Sequence, residues 1–426
     1  MFGRYLLFLF YLIFPCLCMA QLSLTGKVLT SDNKQPIASV NVYLANSSVG
    51  TITNEKGDFT IHNFPQGRYD LVISCIGYET QVITVASNRL PPQLTVLLKQ
   101  KINELQEVVV QPYEKNGWEK WGQFFLDNLI GTTEYAADCK LKNPQVVKFR
   151  YDKKAHIISA YADEPLEIVN RALGYNLRYT MVMFEFRQDT HIMYYQGYPL
   201  FEEIPTSRER LKKRWTSNRK ECYNGSMMHF MRSLYRNKLI EQGFEVRRLI
   251  KVSDEEKARV KKILLNNKTL VLGDNRSGVT FSVSSSDRQI NSNAILFSSN
   301  PDSAAYYRKV MQKPDALDIL VDKLLPGDSI AYAIDSVTAG LAFPDALEIR
   351  YRYKKPTEAY VKSLAFGNRG LMMDPITSQL TRPHKREIAV LANGSYFNGI
   401  DLLSSGYWAW SEKLATMLPT DYWPLK

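Results

Sequence analysis

From Leu22 to Leu98 apolar and polar residues alternate in short runs, and each run is closed by turn formers. Leu22, Leu24, Gly26 and Val28 fall on one face, with Ser23, Thr25 and Lys27 on the other. The same period recurs in Val40, Val42 and Leu44, in Phe59 and Ile61, in Tyr69, Leu71, Ile73 and Cys75, and in Leu94, Val96 and Leu98. Turn signals separate the runs at Ser31-Asp32-Asn33, Asn54-Glu55-Lys56-Gly57-Asp58 and Pro65-Gln66-Gly67. A period of two means strands with one buried face, and several such strands at this spacing pack as two facing sheets.

The motifs Gly26-Lys27-Val28, Pro36-Ile37-Ala38, Gly50-Thr51-Ile52-Thr53-Asn54, Gly57-Asp58-Phe59, Pro65-Gln66-Gly67-Arg68-Tyr69 and Ile76-Gly77-Tyr78 occur in that order. This stretch resembles the carboxypeptidase-regulatory-like domain, a transthyretin-like sandwich that often opens cell-envelope proteins of Gram-negative bacteria. Asn54 departs from the family, which more often has Asp there; both suit a turn. Glu104-Leu105-Gln106-Glu107-Val108-Val109-Val110 resembles the segment that joins such a domain to the plug of TonB-dependent outer-membrane receptors. The resemblance implies a fold and a compartment, not a reaction. The expected architecture is an N-terminal all-β transthyretin-like sandwich over residues 21–99, a linker over 100–112, and a larger α+β domain over 113–426. A basic helical insertion is expected within the larger domain at 205–265.

Residues 1–20 read as a cleaved leader: Arg4 gives a positive start, Tyr5 to Phe14 an apolar core, and Cys18-Met19-Ala20 a cleavage site. The apolar run is too short to cross a bilayer comfortably, and no later window reaches about 18 apolar residues. Export to the periplasm or an outer-membrane-associated surface follows. Beyond the leader lie Cys75, Cys139 and Cys222. Cys75 falls on an inward strand face. Cys139 and Cys222 could pair in an oxidising compartment or stay as two buried thiols.

The formal charge of the chain is +11. Residues 21–112 balance seven Lys/Arg against seven Asp/Glu, whereas 205–268 hold eighteen against seven, so the excess is local. Arg208, Arg210, Lys212, Lys213 and Arg214 form its densest run. A basic helix face meets anionic polymers, lipids or acidic proteins, or is merely solvated; export argues against nucleic acid. A second helix, 225–242, capped by Ser226 and stopped by Gly243, puts His229, Arg232 and Arg236 on its polar side. Tyr407, Trp408 and Trp410 are either sugar-stacking platforms or core. Together these residues make up the candidate binding surface.

Elsewhere an aromatic stripe (Trp118, Trp121, Phe124, Phe125, Leu129) predicts a helix, and 146–201 predicts a meander of strands. A strand is expected at 244–252 and a charged helix at 254–265. Residues 266–300 read as a polar loop. Strands follow at 347–353, 387–391 and 396–403, then a closing helix at 408–417. Asn143-Pro144, Leu173-Gly174-Tyr175, Tyr223-Asn224-Gly225-Ser226 and Gly406-Tyr407-Trp408 resemble the uncharacterised C-terminal region of exported proteins that carry the same leading domain.

Chemistry is sparse. A zinc carboxypeptidase uses His-x-x-Glu with a distant downstream His, because catalytic zinc takes three protein ligands and an open position. His384-Lys385-Arg386-Glu387 fits the first half, but no histidine follows it. Gly-x-Ser-x-Gly elbows, phosphate loops and Cys-x-x-Cys pairs are absent from the mature sequence. The sequence therefore points to no catalytic residue, no metal and no cofactor. The reading is an exported, non-catalytic binding or scaffold protein of the cell envelope, its ligand a glycan or an outer-membrane partner. A glycosidase or esterase housed in 113–426 is the rival.

Overall fold

In the computed structural model the alternation of residues 22–98 becomes two sheets facing one another. The structure describes residues 22–101, 112–266, 270–273, 280–283, 301–313, 316–364 and 375–424. The leader at 1–20 and most of the linker at 100–112 lie outside them. The sandwich strands are β1 (Leu24–Thr30), β2 (Asn41–Leu44), β3 (Gly50–Ile52), β4 (Asp58–Ile61), β5 (Arg68–Ser74), β6 (Gln81–Ala86) and β7 (Leu94–Leu98). One sheet runs β4-β1-β7, with β7 parallel to β1; the other runs β3-β2-β5-β6, all antiparallel. Leu24, Val28, Val40, Val42, Leu71, Ile73 and Leu98 between them are fully buried. Asn54 serves its turn well: its side-chain oxygen accepts from the amides of Lys56 and Asp58, each at 2.9 Å. Gly57 completes that turn at φ +75°, where a side chain would also meet the Val28 carbonyl.

Two readings change here. Leu22 lies before the first strand and is 37% exposed. Val72 and Tyr43, which alternation assigns to solvent, are 0% and 3% exposed. The outer face of the β2–β5 sheet is buried because the larger domain covers it. Tyr43 and Val72 pack on Leu200, the Tyr43 hydroxyl donates to the Tyr198 carbonyl at 3.0 Å, and Arg178 donates to the Asn41 side chain. Backbone bonds from Asn46 to Pro199 and from Phe201 to Ser47 fasten the same edge. The sandwich keeps its own core and is docked, not merged.

The larger domain is mostly β with few helices and is built on two cores. In the first, α1 (Gly117–Leu129) lies on a sheet of β8 (Cys139–Leu141), β9 (Val147–Asp152), β10 (Ile157–Ala162), β11 (Leu166–Asn170), β12 (Tyr175–Arg187) and β13 (Ile192–Glu203). The long β12 pairs with β11 at one end, β10 at the other and β13 along its length. The aromatic stripe of α1 meets this sheet through Phe125, whose ring lies 4.8 Å from Phe184 and 5.7 Å from Phe149.

Next come α2 (Glu209–Tyr223) and α3 (Met227–Tyr235), which join the cores. Cys222 and Tyr223 end α2 in the first core, while Met227, Phe230, Met231 and Leu234 enter the second. The segment read as an insertion is thus the joint of the domain. Helix α3 starts at its expected cap, Ser226 accepting from the His229 amide at 3.0 Å, but it ends at Tyr235, well before Gly243.

The second core is laid on β14 (Phe244–Ser253), with α4 (Glu255–Asn266), β15 (Leu270–Gly273), β16 (Thr280–Val283) and α5 (Pro301–Gln312) following it in the chain. Then come β17 (Ala316–Leu324), β18 (Ala331–Ala333), β19 (Thr338–Leu341), β20 (Ala346–Tyr351), α6 (Glu358–Ser363), β21 (Thr377–Thr381), β22 (Ile388–Leu391), β23 (Leu403–Gly406) and α7 (Tyr407–Ser411). One sheet has the order β17-β14-β20-β21-β23 and a smaller one β18-β19-β22. The strand expected at 396–403 is instead a turn with a short 3-10 helix at Gly399–Asp401, and the closing helix stops at Ser411. The polar stretch 266–300 falls largely outside the described residues, apart from the β15–β16 hairpin.

The C-terminal segment ties these parts together. Leu414 and Ala415 donate to the carbonyls of Leu129 and Ile130 at the end of α1. Thr420 donates to the Asn46 carbonyl of the sandwich, and Asp421 accepts from the Ser48 amide at 2.9 Å.

Candidate functional site

Where the two cores meet, four pieces of chain surround a narrow polar cleft. The loop after α1 brings Thr133, Glu134 and Tyr135, and the α2–α3 junction brings Cys222 and Asn224–Ser226. Lys354 follows β20, and α7 with the residues after it supplies Tyr407, Trp410, Ser411, Glu412 and Thr416. Its volume is about 20 Å³, room for little more than one water-sized group.

Local structure holds each wall. Gly225 sits at φ +77°, and a side chain there would strike Tyr351. Its amide donates to His229 Nδ1 at 3.2 Å and its carbonyl accepts from the Trp408 indole at 2.8 Å. Because Nδ1 accepts, the proton of the neutral His229 ring is on Nε2, which donates to Gln242 Oε1 at 3.1 Å. The Tyr195 hydroxyl fixes the backbone of Glu412 at 2.6 Å, and Trp410 donates to the Thr132 hydroxyl at 3.0 Å. Tyr360, Tyr407 and Trp410 form an aromatic trio with ring centres 5.1–5.6 Å apart.

The cleft is electrostatically unusual. Burial pushes the Glu412 carboxyl up to about 7, against the partial opposition of the Met227 amide, which donates to Oε1 at 3.1 Å, and of Lys354. Burial also raises the Tyr407 hydroxyl, and the carboxylates of Glu134, Glu412 and Glu221 raise it further. The Cys222 thiol is likewise held protonated, so it is no nucleophile. Two hydroxyls on the wall, Thr133 Oγ1 and Ser411 Oγ, are buried without a hydrogen-bond partner.

Glu412 makes stability depend on pH. A folded carboxyl near 7 keeps its proton where the unfolded one, near 4.5, has released it. Its contribution is therefore complete below about pH 4.5 and is lost as pH rises to about 7. Glu412→Gln, which still accepts from Met227, is expected to remove this component. Denaturation midpoints between pH 5 and 8 should fall less steeply with pH in the variant than in the parent chain.

A scan against family models matches residues 24–110 to the CarboxypepD_reg-like domain. The two-sheet architecture of residues 24–98 agrees with it. Residues 24–110 are a CarboxypepD_reg-like domain. It is a regulatory, non-catalytic module and occupies about a fifth of the chain. No curated protein matches the chain. Among solved structures, a type II cohesin–X–dockerin complex from Acetivibrio cellulolyticus matches at 22% identity over 18% of this chain and 56% of that one, with a TM-score of 0.16. A 9R-lipoxygenase from Cyanothece PCC8801 matches at 10% identity over 52% of this chain and 48% of that one, with a TM-score of 0.15. The chain spans about half the length of each matched structure.

Beyond the CarboxypepD_reg-like domain, the structure scatters the candidate binding residues. Arg208, Arg210, Lys212, Lys213 and Arg214 are exposed, but Arg214 pairs with Asp138 at 2.6 Å and Lys212 with Glu209 at 2.8 Å. Arg236 is exposed and stacks over Trp423. His229 (5% exposed), Arg232 (1%), Tyr407 (5%) and Trp408 (2%) are interior and cannot form a docking surface. They face inward because α3 packs between the second core and the C-terminal segment, so its polar side is covered as well. Trp410 alone of this set lines the cleft while half-buried.

Cys75, Cys139 and Cys222 are all free thiols, and Cys139 donates to the Tyr135 carbonyl at 3.5 Å. The Cys139–Cys222 disulfide is therefore not formed. His384 binds the buried Asp401 at 2.7 Å. Among the described residues no group of three His, Cys, Asp or Glu could hold a metal ion, and no helix is long and apolar enough to cross a membrane. Sequence reading missed Thr133, Ser411 and Glu412. Each is an ordinary polar residue in a loop or at the end of a short helix, and only the closing of two cores around it makes it unusual.

Proposed function

We propose that this is an exported, non-catalytic binding protein of the cell envelope. Its CarboxypepD_reg-like domain serves as a fixed scaffold, and its larger domain binds a glycan at the Glu412 cleft. The observation that supports a sugar ligand is the half-buried Trp410 at a cleft also lined by the polar groups of Glu134, Asn224 and Glu412. Sugars present an apolar ring face to aromatics and hydroxyls to such polar atoms. The second reading is a hydrolase. It is favoured by a carboxyl brought to about 7, the value that suits a general acid, in a cleft that Glu134 also lines.

A panel of envelope and plant-type oligosaccharides, added to the purified chain, separates the two. Binding predicts a raised melting temperature with the added sugar recovered intact. New reducing ends that disappear in Glu412→Gln would instead establish the hydrolase.

A further inference from the structure

We propose that Arg150, on the face of the first sheet turned away from α1, forms a separate carboxylate site whose ligand is an acidic sugar of the uronic acid type. Alternation along β9 sets the placement. Phe149 packs under α1 beside Phe125, so Arg150 points to the opposite side. None of the residues around it lines the Glu412 cleft, and the two sites stand or fall separately.

Two aromatic rings position the guanidinium. Its carbon lies 4.3 Å from the Tyr113 ring centre and 4.8 Å from that of Tyr161, and the rings stand 5.8 Å apart. Tyr161 reaches Arg150 diagonally across the β9–β10 pair, where Tyr161 and Ser159 oppose Lys148 and Arg150. Tyr113 arrives from the segment before α1, which the Glu114 amide fixes on the Phe149 carbonyl at 2.9 Å. Contact with ring faces holds the cation without using its N–H donors. Both tyrosines are 39% exposed, and their hydroxyls have no hydrogen-bond partner among the described residues.

Charge then specifies the ligand. Arg150 is half-buried, and among the described residues it makes no ion pair and no hydrogen bond. The carboxylates on this face are committed elsewhere. Asp163 pairs with Lys148 at 2.6 Å, and Asp152 accepts from the amides of Lys154 and Ala155 at 2.8 and 3.0 Å. Glu185 lies two strands away in the row Arg150–Ser159–Glu185, about 10 Å by strand spacing. Lys101 adds positive charge at the Asp163 end, where it donates to that residue's carbonyl at 2.9 Å.

A guanidinium left without a counterion takes a carboxylate through paired, charge-assisted hydrogen bonds. With Lys148 already neutralised, one open charge suits a monoanion better than a phosphate dianion. The exposed phenol rings offer an apolar face to a pyranose and hydroxyls to its polar groups. An acidic peptide added as a strand is disfavoured, because the Glu114 amide already takes the Phe149 carbonyl on the outer edge of β9.

The test is calorimetric titration of the full chain at low ionic strength with digalacturonate, its methyl ester, inorganic phosphate and tetraglutamate. The inference predicts that digalacturonate binds at least tenfold more tightly than any of the other three. Arg150→Gln should lose tenfold or more, the independent variant Tyr161→Leu several-fold, and Lys220→Gln, an exposed cation on α2, nothing. Equal binding of the methyl ester, or full binding by Arg150→Gln, would overturn the carboxylate site. Phosphate or tetraglutamate binding as tightly as digalacturonate would overturn the acidic-sugar assignment. An equal loss in Lys220→Gln would reduce the effect to general charge attraction and overturn the site, as would absence of heat with every probe.

Discussion

Arg232→Met lowers the stability of the whole chain by about 3–5 kcal/mol, a large loss for one surface-type residue, although it removes no salt bridge. Arg232 is 1% exposed. Its guanidinium donates to the carbonyls of Asn393 at 2.8 Å, Tyr422 at 2.9 Å and Thr420 at 2.9 Å. It lies 3.8 Å from the ring centre of Trp423 and 5.3 Å from that of Tyr223. Methionine fills much of the volume but leaves three inward carbonyls without donors, which is where most of the loss arises. Arg232→Lys keeps the charge without the planar fork and should fall between the two. The measurement is urea denaturation followed at separate probes. Because Thr420 and Asp421 also hold the CarboxypepD_reg-like domain, loss of the clamp should let that domain unfold apart from the body, splitting one transition into two.

The second large effect is expected at Trp408. Truncation to alanine should cost about 3–5 kcal/mol, the range for deleting a large buried aromatic. Trp408 is 2% exposed, packs 5.4 Å from the Phe230 ring and donates to the Gly225 carbonyl. Trp408→Phe should lose less packing but still orphan that carbonyl, at about 1–3 kcal/mol. Either variant should change stability far more than sugar affinity, whereas Trp410→Ala should do the reverse. Equal affinity losses at both positions would mean that Trp410 is not the binding element.

These two residues show what a single sequence can and cannot disclose. Period-two alternation located the sandwich because one face of each strand is buried by its own partner sheet, a local relation. It misassigned Tyr43 and Val72 because their cover comes from Leu200, more than a hundred residues away. A hint was present: Leu71-Val72-Ile73 is a continuous apolar run, the mark of a strand buried on both faces.

Arg232 and His229 read as solvent-facing for the same reason, since helical spacing reports which residues share a face, not what covers it. The Ser226 cap was legible because capping is local. The end of α3 was not, because Leu239 continues the apolar pattern after the helix has stopped. Glu412 carried no signal at all. Its environment is assembled from the loop after α1, the α2–α3 junction and α7, which tertiary packing alone brings together.

Hydrogen–deuterium exchange of the full chain, with and without the oligosaccharide that most raises its melting temperature, tests the proposed glycan site most directly. Protection concentrated in peptides covering 131–135 and 407–412, with the sugar recovered unchanged, is the predicted result. Protection confined to the sandwich loops or to the basic run at 208–214, or consumption of the sugar, would contradict it.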